Sequence, residues 1–177
     1  MTDTVESRLR GAIRNIPDFP KPGIQFKDIT PVLLDPELFE ATLDALTDWA
    51  REHDAHKIAG VDARGFLFAA PVADRLGLGL IPVRKLGKLP YDTVQASYDL
   101  EYGVNTLEVH TDALEDGEKV VLIDDLLATG GTVRAATELV ESLGGVISGV
   151  GFVVELGFLD GRAQLDGYEI MSLIAFD

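Results

Sequence analysis

Apolar and polar positions along this chain alternate in blocks that predict strands and helices in succession. Val120-Val121-Leu122-Ile123 is β-rich and apolar on both faces, as suits a strand inside a parallel sheet covered on each side. The pattern ends that strand at Asp124-Asp125 and follows it with a small-residue turn, Ala128-Thr129-Gly130-Gly131-Thr132. Val133, Ala136, Leu139, Val140 and Leu143 then recur at helical spacing, and Gly144-Gly145 closes the helix.

The same logic covers the rest of the chain. Val5, Leu9, Ile13 and Ile16 predict an amphipathic helix over residues 4–16, stopped by Pro17, Pro20 and Pro22, which leave an extended segment. Asp35-Pro36-Glu37 opens a second helix, with Leu38, Phe39, Thr42, Leu43, Leu46 and Trp49 on its core face. His53 and His56 fall in a polar connection and read as solvated. Residues 57–61 predict a strand, with a turn and a helix burying Phe66, Phe68, Ala69 and Val72. Residues 78–83 predict another buried strand. Over residues 91–110 the period changes to two, through Val94, Ala96, Tyr98, Leu100 and Tyr102. This is an exposed ribbon with its turn at Gly103-Val104-Asn105, a hairpin inserted into a βα series. Strands over 146–155 and 167–176 complete the chain. Together these elements predict an α/β fold: a twisted, mainly parallel five-stranded sheet with helices on both faces, a small N-terminal hood and a hairpin lid.

Length and composition narrow the classes. A chain of 177 residues is expected to be one domain, 1–177, with residues 1–34 as helix and hood and 90–110 as a flexible lid. Fifteen Lys and Arg against thirty Asp and Glu give a net charge of −15, the wrong sign for a nucleic-acid partner. There are no cysteines, which excludes disulfides and thiolate metal sites. No apolar run is long enough to span a membrane, so a cytoplasmic location is expected.

Chemistry concentrates at residues 119–132. Glycines let backbone N–H groups converge, and a helix N-terminus behind them adds a favourable dipole, which makes a phosphate cradle. Neither a Walker lysine nor a G-x-G-x-x-G pattern is present. Carboxylates beside a phosphate repel it, so Asp124 and Asp125 must serve a neutral or cationic part of the ligand. Ribose hydroxyls and a hydrated Mg²⁺ both qualify. A ribose 5-phosphate fits, and a plain βα turn with solvated acids is the competing reading.

VVLIDDLLATGGT resembles the 5-phosphoribosyl-1-pyrophosphate (PRPP) motif of the type I phosphoribosyltransferases, and its LLATGGT form resembles their adenine-specific branch. Five other stretches are similar to that family. Asp62-Ala63-Arg64-Gly65-Phe66 resembles its pyrophosphate loop, and Arg84-Lys85-Leu86-Gly87-Lys88-Leu89-Pro90 its RK-x-GKLP loop. Ala96 to Gly103 resembles its ASYxLEYG lid ending. The N-terminal FPKPGIQFKDI resembles a segment whose aromatic stacks on the purine; here that residue is Phe26, with Lys27 where many relatives carry Arg. Residues 155–165 also resemble the family's ELxxLxGRxKL.

The resemblance implies transfer of phosphoribose from PRPP to adenine, giving AMP and pyrophosphate, with Mg²⁺ carried by PRPP, in a homodimer. It implies that Ala128, Thr129, Gly130, Gly131 and Thr132 hold the 5-phosphate, and that Arg64, Arg84, Lys88 and Tyr102 meet the pyrophosphate. Gln25, Phe26, Lys27 and Leu126 would take adenine. Asp124 and Asp125 would hold the ribose diol, and Glu101 would take the proton leaving the purine. Other purines are the nearest alternative, but a 6-oxo base needs a donor late in the chain, and no lysine follows Lys119. A PRPP-sensing regulator and a receiver-type acid pair are the readings from other classes.

Overall fold

A computed structural model of the chain describes residues 4–100 and 103–177, and these divide into two compact units, Met1–Ala45 and Leu46–Asp177. In the first, helix α1 (Val5–Ala12) starts where the Thr4 hydroxyl accepts the N–H of Ser7 at 3.2 Å. It ends one turn earlier than the apolar spacing predicts. Residues Arg14–Pro17 leave the helix to form β1, which pairs antiparallel with β2 (Gln25–Asp28), Ile16 opposite Phe26. The proline-rich segment is therefore folded back between two short strands, with Phe19 edge-on to Phe26 at 5.1 Å. A one-turn helix, α2 (Thr30–Leu34), follows. Asp35 then caps α3 (Pro36–Arg51), its carboxylate accepting the N–H groups of Glu37 and Leu38 at 3.1 Å each.

The second unit holds a seven-stranded sheet of order β5-β6-β4-β3-β7-β8-β9. Its strands are β3 (Lys57–Val61), β4 (Gly79–Lys85), β5 (Thr93–Leu100), β6 (Gly103–His110), β7 (Lys119–Leu127), β8 (Val146–Leu156) and β9 (Ile170–Phe176). The five expected strands, β4-β3-β7-β8-β9, are all parallel. The additional two are the hairpin, which joins the same sheet through antiparallel pairing of β6 with β4.

Helices α4 (Phe66–Leu76) and α5 (Gly131–Ser142) cover opposite faces, as the alternation along β3 shows. Ala59 and Val61 join a cluster with Val133, Ala136, Leu139 and Val140 of α5. Gly60, between them, lies against α4: a Cβ there would come within 2.6 Å of Ala69 Cβ. On that same face Trp49 lies over Gly149 and Gly151 of β8, where added Cβ atoms would approach its ring to 2.9 and 2.8 Å.

Three expectations are corrected here. The hairpin is not an exposed ribbon throughout, because Leu107 and Val109 of β6 are fully buried and Val94, Ala96 and Tyr98 pack on the α5 cluster. Each such buried aliphatic is worth up to about 1.5–3 kcal/mol, so the base of the hairpin is anchored in the sheet. Its turn is not at residues 103–105 either: Gly103 already pairs with Leu100. Finally, of the two histidines only His56 is exposed as expected. His53 is buried, its Nδ1 2.8 Å from the Trp49 carbonyl and its ring 4.3 Å from the indole. His56 Nδ1 accepts the N–H of Lys119 at 3.1 Å, tying the connection to β7. Among the described residues no helix is long and apolar enough to cross a membrane.

Candidate active site

The acid pair does not end its strand. Asp124 and Asp125 lie within β7, which continues pairing with β8 as far as Leu127 opposite Glu155. Backbone pairing is indifferent to side-chain polarity, so the ladder runs on after the apolar pattern stops. Both carboxylates are consequently buried, at 8% and 5% exposure. Burial of this kind is costly to a charged group and is not a stabilising choice.

The surroundings explain how the pair is tolerated. Asp124 Oδ1 accepts the N–H of Asp125 at 2.8 Å, and Arg64 Nε stands 2.8 Å from Asp125 Oδ2. Arg64 reaches it from the turn between β3 and α4, where the Asp62–Ala63 peptide is cis. Gly65, next in that turn, is pressed against the acid: a Cβ would sit 2.6 Å from Asp124 Oδ1 and 2.7 Å from the Val61 carbonyl. Burial pushes the Asp124 carboxyl well above the usual carboxylate range, and the Asp125 charge pushes it further. Burial also raises Asp125, against the opposing pull of the Arg64 guanidinium. Among the described residues Asp125 Oδ2 accepts no aligned hydrogen bond, despite the nearby cation.

The glycine turn completes the cavity. Gly130 has φ of +86°, a conformation natural to glycine, and it precedes α5 without any side-chain cap. The first hydrogen bond of the helix runs from Arg134 N–H to the Gly130 carbonyl at 2.9 Å. The N–H groups of Gly131, Thr132 and Val133 therefore have no acceptor within the helix and add to its positive end. Arg64, Asp124, Asp125, Leu126, Ala128, Thr129, Gly130 and Thr132 line one cavity of about 200 Å³. An uncapped helix N-terminus and two buried acids thus share one small space.

A profile of the phosphoribosyl transferase domain matches residues 33–163. The adenine phosphoribosyltransferase of Caldanaerobacter subterraneus subsp. tengcongensis is 56% identical over 168 residues, 95% of this chain and 97% of its own. That of Frankia casuarinae is 55% identical over 172 residues, 97% and 92% of the two chains. The crystal structure of adenine phosphoribosyltransferase from Thermoanaerobacter pseudethanolicus matches with a TM-score of 0.94 at 54% identity, covering 98% of this chain and 100% of the other. The chain belongs to the adenine phosphoribosyltransferase family. The Saccharomyces cerevisiae member, crystallised with an imino-altritol bisphosphate and adenine, matches at a TM-score of 0.91 and 39% identity, over 96% and 98% of the chains.

Other residues of the adenine phosphoribosyltransferase pattern are placed around this cavity or apart from it. Arg84, at the end of β4, pairs with Asp62 at 3.2 Å and donates to the Lys88 carbonyl at 3.2 Å, linking the two basic-loop motifs. Lys88 is exposed on the loop after β4. Gln25, Phe26 and Lys27 form β2 in the first unit. Glu101 and Tyr102 lie outside the described residues, between β5 and β6. Ser97 and Tyr98 of β5 line a second cavity, of about 370 Å³, together with Thr129 and Gly131.

One residue that sequence reasoning passed over is Glu108. On the exposed-ribbon reading it is a surface acid, yet it is only 2% exposed. Its Oε1 accepts the N–H groups of Lys88 at 2.8 Å and Leu89 at 2.9 Å, and its Oε2 faces the Thr93 hydroxyl at 3.4 Å. Burial works to raise its pKa, but the Leu89, Lys88 and Gly87 N–H groups outweigh it and hold the carboxyl below its usual value. An anion therefore organises the cationic loop from beneath. A period-two strand with Glu108 between Leu107 and Val109 offered no sign of this.

Proposed function

We propose that the chain catalyses adenine + PRPP → AMP + pyrophosphate, with Mg²⁺ arriving on PRPP. The observation that carries this is the pairing of an uncapped helix N-terminus with two buried carboxylates in one cavity. A phosphate alone would not need the acids, and a metal alone would not need the helix.

In the reaction the bond from ribose C1 to the pyrophosphate oxygen breaks, a bond from C1 to purine N9 forms, and N9 loses its proton. Little covalent chemistry is left to the protein, so positioning and electrostatics dominate. The N–H groups and hydroxyls of Ala128 to Thr132 hold the 5-phosphate. Asp124 and Asp125 accept hydrogen bonds from the ribose diol, and their charge favours the positive charge developing on the ring. Arg64, Arg84, Lys88 and Tyr102 receive the pyrophosphate. Arg64 stands on Asp125 in the free chain, so it is at hand for both ends of the breaking bond.

Gln25, Phe26, Lys27 and Leu126 are assigned to adenine on the sequence resemblance, and Glu101 to the N9 proton. Residues 90–110 act as a lid whose base is anchored by β6 and whose tip excludes water. Residues 1–177 work as one domain, in a cytoplasmic homodimer to which the basic loop contributes. Activity with PRPP and Mg²⁺ against adenine, hypoxanthine, guanine and xanthine tests the assignment. Pyrophosphate release with adenine far above the other three is expected, and release with none would leave a non-catalytic PRPP sensor.

A further inference from the structure

Residues 155–165 carry a family-like motif that none of the roles above uses. We propose that Arg162, clamped by the buried carboxylate of Glu155, is a positioning residue for the 5-phosphate: it fixes the turn on which the phosphate loop rests. This inference rests on the reading of residues 128–132 as the 5-phosphate site.

The contacts form a closed circuit. Glu155, near the end of β8, pairs on the ladder with Leu127, the last residue of β7 before the loop. Its carboxylate is nearly buried and takes both arms of one guanidinium, Arg162 Nε to Oε1 at 2.7 Å and Nη2 to Oε2 at 2.8 Å. The third arm, Nη1, reaches the Ile170 carbonyl at the start of β9 at 3.4 Å. Arg162 lies in the 3₁₀ turn Gly161–Leu165, and the residue before it closes the circuit. Gly161 is buried with its backbone directly against the loop: a Cβ there would overlap the Ala128 carbonyl oxygen. From the other side, a Cβ on Gly130 would lie 2.5 Å from the Gly161 carbonyl and 2.9 Å from Gln164 Cβ. The loop and the turn therefore touch backbone to backbone, twice, and neither can shift without the other.

Only the carboxylate of this pair is buried; Arg162 is 47% exposed, and an ion pair open to water on one side adds little stability. From Gly149 onward β8 is buried, and up to this residue it is apolar, so a carboxylate at position 155 stands out. What a two-pronged guanidinium–carboxylate pair supplies is a fixed orientation. N–H groups aimed at one phosphate need their positions held to within about 0.5 Å, and the pair transmits that constraint through Gly161 to the loop.

The test uses the full-length chain and its variants Arg162→Ala, Arg162→Lys, Glu155→Gln and the double variant, with Thr132→Val as a change in the loop itself. Ribose 5-phosphate affinity is measured by calorimetry, KM for PRPP and for adenine at saturating co-substrate, and the melting temperature alongside. Arg162→Ala is expected to weaken ribose 5-phosphate and raise the PRPP KM by about 10- to 100-fold, the scale of a misplacement near 1 Å, with adenine KM unchanged. Glu155→Gln moves the same two quantities, the double variant is no worse than Arg162→Ala, and Arg162→Lys restores part of the loss. Should Arg162→Ala fail to fold, Arg162→Lys and Glu155→Gln carry the same comparison. A lowered melting temperature with wild-type ribose 5-phosphate affinity overturns the inference, as does an equal rise in both KM values. If Thr132→Val weakens ribose 5-phosphate while the Arg162 variants do not, the positioning role alone fails. If the unaltered chain does not bind ribose 5-phosphate, the 5-phosphate reading fails first.

Discussion

Replacing Asp124 by asparagine keeps the shape of the side chain and removes only its charge. The Asn Oδ1 can still accept the Asp125 N–H that Asp124 accepts at 2.8 Å, so no backbone donor is orphaned. What disappears is a carboxylate that is 8% exposed and set beside a second one, whose ionisation burial and its neighbour both oppose. The variant is expected to be more stable and nearly inactive. Relief of such functional strain is commonly worth about 0.5–2 kcal/mol, and a chain of this size gains about 2–4 °C in melting temperature per kcal/mol. A rise of several degrees at neutral pH follows.

The sign of the pH dependence is fixed by the direction of the shift. The folded Asp124 holds its proton to a higher pH than the unfolded one does. Below the ordinary Asp pKa, about 3.9, the wild type suffers no penalty. As pH rises toward the elevated folded pKa the penalty grows, and above it the penalty is constant. Urea melts of both proteins across pH 3.5–8 should therefore show a stability gap that is near zero in acid and opens as pH rises. Carboxylates with lowered values, such as Glu155 and Glu108, destabilise both proteins alike in acid and cancel in the difference. Turnover should fall by about 100- to 1,000-fold, the scale of a lost transition-state charge partner. A variant less stable than wild type at pH 8, or a gap independent of pH, would refute the reasoning.

Gly65→Ala puts a methyl group 2.6 Å from Asp124 Oδ1 and 2.7 Å from the Val61 carbonyl; a loss of about 1–3 kcal/mol in urea melts is expected, with activity reduced further than stability explains. Glu108→Gln leaves one buried oxygen to hold the Lys88 and Leu89 N–H groups but removes the charge; PRPP KM should rise several-fold in steady-state assays with adenine KM unchanged. Lys88→Ala should weaken PRPP use with little change in melting temperature, since the side chain is exposed; an effect confined to adenine affinity would contradict its assignment.

Much of this was legible in the residues. Apolar runs of four or five, such as 120–123 and 58–61, located the parallel strands, and glycine with threonine located the turn that starts α5. The misreadings share a physical cause. Hydrophobic pattern reports which side chains are buried in apolar surroundings, whereas strands are made by backbone ladders. Hence β7 runs on through Asp124 and Asp125, β1 takes residues 14–17 out of a helical pattern, and Gly103 is strand instead of turn. Buried polar residues were the least visible of all. Glu108 is held by Lys88 and Leu89, 19 or more residues away, and His53 packs on Gly149 of β8, which no local window contains; Glu155 has Arg162 only seven residues on, but its burial comes from its place beside Leu127 on the ladder. Gly161 belongs with them, because its need for a bare Cα comes from Ala128 across the sheet edge.

The central claim is that the turn at residues 128–132 grips the phosphate of a ribose whose diol faces Asp124 and Asp125. A crystal structure of the chain with ribose 5-phosphate tests it most directly. The account predicts the phosphate within hydrogen-bonding distance of the N–H groups of Gly131, Thr132 and Val133, with both ring hydroxyls on the two carboxylates. Density for the sugar phosphate at any other place, with this turn unengaged, would contradict it.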